Sequence, residues 1–173
     1  MRAPWWLVLA CAAALAVGMM QAPAAARIWA PDQVLDSPIV PPRVLQTARI
    51  PRWDWLPGHR GIDLAVTPGQ AVRSPGAGTV TFVGHVVDRP VITVTHPHGL
   101  ISSLEPVEST LRVGARVQTG DVIGAVGSTS AHCGTEPCVH WGVRDTGGYV
   151  DPLDVLRGFG RVRLLPMSEA AFT

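Results

Sequence analysis

Two short stretches carry side chains able to hold a metal ion and do hydrolytic chemistry. In Gly58-His59-Arg60-Gly61-Ile62-Asp63-Leu64 an imidazole and a carboxylate stand four positions apart with a glycine between them. A turn at Gly61 followed by a strand from Ile62 brings both side chains to one point, and imidazole nitrogen and carboxylate oxygen are both good zinc ligands. Alone the pattern is weak, because His-x-x-x-Asp is common by chance. The second stretch is Cys138-Val139-His140-Trp141-Gly142-Val143-Arg144. On a strand, alternation puts Cys138 and His140 on one face. His140 then completes a His₂Asp set with one coordination position left for water, the feature that separates a catalytic zinc from a structural one.

The elements around these stretches read as short strands and turns. Residues 71–73, 79–86, 91–95, 100–104, 116–117, 122–126 and 139–144 are β-branched or alternating, bounded by Gly, Pro or Asp. Their spacing of mostly eight to twelve residues predicts an all-β sandwich or barrel of short antiparallel strands. One short C-terminal helix is expected over 151–158, with Asp151 as N-cap, Pro152 at the first helical position and Gly158 as terminator. The glycines of Thr67 to Val72 and Val113 to Gly124 are scaffold turns, without the strand–loop–helix context of a phosphate cradle. Residues 27–57 form a Pro-punctuated, extended arm without a sustained period and with room for one short strand, and Trp53 and Trp55 are expected to pack on the body sooner than to form a substrate platform.

The N-terminus sets the compartment. A short positive start, an apolar run from Trp5 to Met20 and the small-residue stretch Ala22 to Ala26 have the layout of a secretory signal peptide over 1–26. Cleavage leaves no stable membrane span, about one domain over 58–158, and a peripheral tail at 159–173. All 14 basic residues are arginines against 13 acidic ones. That balance gives no footprint for nucleic acid or anionic membranes. Cys133 and Cys138 are the cysteines beyond the leader. In an oxidising compartment they are expected to form a disulfide across a small Gly- and Pro-containing loop, with two reduced thiols or thiolate metal ligands as the lesser alternative.

From Gly58 to Leu156 the chain resembles the lysostaphin/LytM-like zinc metalloendopeptidases, which cut peptide bridges in bacterial peptidoglycan. The resemblance rests on segments in the family's order: His59-Arg60-Gly61-Ile62-Asp63, Ser74 to Val80, Val113 to Gly127, His140 as the last His of His-x-His, and Tyr149-Val150-Asp151-Pro152-Leu153. It implies a duplicated hybrid motif fold and His59, Asp63 and His140 as ligands of a zinc (Zn2+) cofactor. Two departures stand out. The first His of His-x-His is Cys138 here, and the other catalytic His falls on Pro106 of Leu104-Glu105-Pro106. General-base help is worth about 10²–10⁴-fold in rate, so a substitute is needed for full activity. His132, beside Cys133, is the first candidate, with Glu105 and Glu136 as carboxylate alternatives. His85, His96 and His98 read as turn or surface residues, although the resemblance sets His96 near the groove. Arg60 and Arg144 flank the ligands and read as solvated, with a substrate carboxylate as the other use. Two functions follow: a secreted zinc endopeptidase acting on peptidoglycan in the cell wall, or a degenerate domain that binds zinc or peptidoglycan and regulates other wall hydrolases through a protein partner.

Overall fold

The computed structural model describes residues 34–53, 55–127, 133–134 and 136–158. Its strands are β1 (Val44–Gln46), β2 (Ile62–Ala65), β3 (Ala71–Arg73), β4 (Gly78–Val86), β5 (Arg89–Thr95), β6 (Ile101–Glu105), β7 (Val107–Glu108), β8 (Arg116–Val117), β9 (Val122–Val126), β10 (Cys138–Asp145) and β11 (Gly148–Val150). They form two open antiparallel sheets. The larger runs β1-β2-β10-β6-β5-β4-β8, with β11 against β10, and the smaller runs β3-β9-β7. The all-β expectation holds, as open sheets without barrel closure.

Register is what matters for the site. Ile62, Trp141, Leu104 and Ile92 lie opposite one another across β2, β10, β6 and β5, and none is exposed to solvent. Each such side chain contributes about 1.5–3 kcal/mol by leaving water. One position along, the neighbouring row is Asp63, His140 and Glu105. Alternation turns that row to the opposite face of the sheet. A slip of one residue would carry His140 into the core and Trp141 into water, so burial of the indole locks the polar row in place.

The strands expected from the sequence are all found, with bounds displaced by two residues at most. β1 is the one short strand expected in the arm, while the two-residue β7, paired with β9, and the three-residue β11, paired with the adjacent β10, are too short for local patterning to reveal. The helix α1 (Pro152–Val155) has the expected cap: the Leu153 N–H donates to the Asp151 carboxylate at 2.9 Å. It ends before Gly158 because Leu156 bridges Leu35 in parallel, with Leu35 N–H donating to Val155 O and Arg157 N–H to Leu35 O, both at 2.7 Å. Leu35 and Ile39 enter the main core.

Trp53 and Trp55 depart from expectation. They remain 50% and 77% exposed, stacked on each other with ring centroids 5.4 Å apart, instead of packing on the body. The Arg49–His59 bridge closes the base of the loop that carries them. The leader, His132 and the tail at 159–173 lie outside the described residues. Among the described residues no helix is long and apolar enough to cross a membrane.

Candidate metal centre

Three elements deliver three side chains. His59 stands at the end of the Trp-bearing loop, where its backbone exchanges two hydrogen bonds with Arg49 at 2.8 and 3.0 Å. Asp63 is the second residue of β2, and His140 faces it in register on β10. Gly61 makes the close approach possible. A Cβ there would lie 2.7 Å from His140 Nε2 and closer still to the Trp141 carbonyl oxygen, so any side chain would displace the ring.

The donor atoms converge. His59 Nε2 is 3.1 Å from Asp63 Oδ1 and 3.1 Å from His140 Nδ1, and His140 Nδ1 is 2.8 Å from the same Oδ1. On its far side His59 Nδ1–H donates to the Thr47 carbonyl at 2.9 Å. In the neutral ring this bond leaves the Nε2 lone pair facing a carboxylate oxygen. A lone pair and a carboxylate oxygen at that distance repel unless a proton or a cation lies among them. Tetrahedral zinc with bonds of 2.0–2.1 Å sets its donors about 3.3 Å apart, close to the separations here. The two histidines and one carboxylate fit such an ion by chemistry and by spacing. Asp63 is almost wholly buried and the imidazoles are partly open, so access is from the imidazole side.

A second grouping, Asp63 with Cys133 and Cys138, also brings its donor atoms within 4.8 Å of one another. The two sulfurs are joined as a disulfide, with Cα atoms 6.1 Å apart, and offer no thiolate to a metal. The disulfide instead sets the Cys133 and Cys138 sulfurs beside Asp63.

The remaining candidates separate clearly. Glu105 shares the row of Asp63 and His140, but Arg89 donates to its carboxylate at 2.7 Å. Glu136 is paired with Arg43 on the surface. His85 and His98 are exposed, as expected. His96 is buried instead: its Nδ1–H donates to the Ala77 carbonyl at 3.0 Å and its Nε2 accepts from the Ser102 hydroxyl at 2.9 Å. Burial pushes the His96 pKa down, against smaller upward effects of the Ala77 and Gly76 backbone. It is a scaffold residue joining β5, β6 and the turn before β4. Sequence reading did not find the Thr47 carbonyl that orients His59, because a backbone acceptor leaves no signature in residue type.

Residues 57–152 match the description of Peptidase family M23. An uncharacterized protein of Mycobacterium tuberculosis is 40% identical over 154 residues, covering 86% of this chain and 61% of that protein. The DD-carboxypeptidase/endopeptidase Mpg of Neisseria meningitidis is 32% identical over 98 residues, 56% of this chain and 22% of Mpg. Among solved structures, Helicobacter pylori Csd3 superposes with a TM-score of 0.58 at 26% identity, covering 72% of this chain and 35% of Csd3. The chain thus spans about three fifths of its mycobacterial relative and a smaller share of Mpg. With more than half of its length matched, and its His-x-x-x-Asp and later His inside the matched region, this chain belongs to peptidase family M23.

Proposed function

We propose that the chain is a zinc metalloendopeptidase acting outside the cytoplasm on the peptide cross-bridges of peptidoglycan, with His59, Asp63 and His140 as metal ligands. The observation that carries this reading is the meeting of His59 Nε2, Asp63 Oδ1 and His140 Nδ1 within 3.1 Å of one another. A zinc ion bound there supplies Lewis acidity, which makes water more acidic and polarises a peptide carbonyl. Each residue of the chain has a separate task. Asp63 brings one negative charge from a buried position, so that the donor set is not fully neutral. Thr47 fixes the His59 tautomer, and bare Gly61 leaves room for the His140 ring. Beside His140, Gly142 faces Ser103 across β10 and β6, offering a low floor on which an extended peptide can lie.

Hydrolysis also needs a group that takes a proton from water and returns one to the leaving amine. His132 and Glu105 are the candidates. Glu105 stands on the same row as two of the ligands, restrained by Arg89; His132 precedes Cys133 of the tied loop. The substitutions Glu105→Gln and His132→Ala separate them, because the true base loses about 10²–10⁴ in turnover.

A second reading has its own support. Cys138 and Pro106 occupy the positions where the resembled endopeptidases carry histidines, and Cys138 is consumed in a disulfide. A domain so altered holds zinc or binds the wall polymer and acts by regulating another hydrolase through a protein partner. Digestion of purified peptidoglycan, with new amino groups counted, decides between them. The peptidase reading expects amine release that stops with a chelator and in Asp63→Ala. Zinc bound without any amine release would favour the regulatory reading.

A further inference from the structure

The exposed indoles call for a partner. Trp53 and Trp55 stack nearly parallel, with an interplanar angle of 8°, and the Arg52 guanidinium lies 5.5 Å from the Trp53 ring centroid. Leaving two of the largest apolar side chains half or more in water forfeits hydrophobic stabilisation that packing on the sheet would have given. The stack is tied to the metal centre by continuous contacts. The loop that bears it ends at His59. Arg60 donates to the Leu56 carbonyl at 2.9 Å and lies 5.9 Å from the Tyr149 ring centroid. Tyr149 in turn lies beside Gly142, next to the His140 ring. Tyr149 and Arg60 therefore link the His140 ring to Leu56, the residue next to the indole pair.

We propose that the indole pair is a glycan subsite, in which the outer face of Trp55, backed by Trp53, stacks on a pyranose ring of an N-acetylated amino-sugar strand while the metal centre addresses the peptide attached to it. The assignment rests on the peptidoglycan reading above. A flat indole face complements the axial C–H face of a pyranose, whereas an extended peptide presents edges of polar amide groups. The arginines suit a polymer that carries carboxylates. A membrane surface is the poorer match: the described loop holds a single basic residue between Arg49 and His59, and the chain as a whole balances 14 basic against 13 acidic groups, where adsorption to anionic lipid relies on basic clusters.

The test is titration of the full chain with a soluble β-1,4-linked oligomer of N-acetylglucosamine, read by tryptophan fluorescence and by calorimetry. Saturable binding is expected, with about tenfold weaker affinity in Trp55→Ala and recovery in Trp55→Tyr. Trp53→Ala should weaken binding as well. Unchanged affinity in both alanine variants overturns the proposal, as does saturation with anionic phospholipid vesicles in place of the sugar. Amine release from a soluble cross-bridge peptide, measured on the same preparation, reports on the peptidase reading alone, so that either idea can fail without the other.

Discussion

His59 is useful as a ligand only if the right nitrogen is free of its proton, and the Thr47 carbonyl decides which one that is. Such outer contacts set ring orientation as well as tautomer. His140 depends on a different device, the absence of a side chain at Gly61. In Gly61→Ala the new Cβ would fall 2.7 Å from His140 Nε2, with the Trp141 backbone blocking retreat. Overpacking of this kind costs about 1–3 kcal/mol in fold stability. Zinc affinity should fall by at least tenfold, because donors held to within about half an ångström are what such a site requires. Competition with a chromogenic chelator measures it, and an affinity equal to that of the parent chain would show that the glycine serves the turn and not the ligand.

At the scale of elements, β2, β10 and β6 act as one unit: the apolar row on one face fixes the polar row on the other. His96 secures the neighbouring edge, where it joins the end of β5 to Ala77 and Ser102 as a neutral ring. Because burial lowers its pKa from the ordinary 6.5, the unfolded chain takes up the proton at a higher pH than the folded one. The stabilisation due to the neutral ring is complete above about pH 6.5 and is lost as pH falls through the lower, folded-state value. Thermal melts between pH 7.5 and 5 should show Tm dropping on the acid side, and His96→Gln should flatten that slope. An equal acid slope in the variant would place the sensitivity elsewhere.

For the whole molecule, the sequence revealed what is local or patterned. Strand alternation and turn glycines were legible because a sheet with one packed face repeats every two residues. The ligand candidates were legible because few residue types bind metal. Burial of His96 was not, since nothing in Thr95-His96-Pro97 distinguishes a turn at the surface from one capped by Ala77 and Ser102. The exposed Trp stack was also missed, as tryptophan is usually buried and the Arg49–His59 bridge that closes its loop pairs two residues with no local pattern. The parallel bridge between Leu35 and Leu156 joins residues 121 positions apart and leaves no local trace. The proposed sharing of one divalent cation by His59, Asp63 and His140 is open to direct measurement. Its most direct test is elemental analysis of the purified chain beside Asp63→Ala, with folding of both verified by circular dichroism. The parent chain should carry about one zinc, and the folded variant should lose most of it. A parent chain free of metal after exposure to zinc, or a variant that holds as much as the parent, would contradict it.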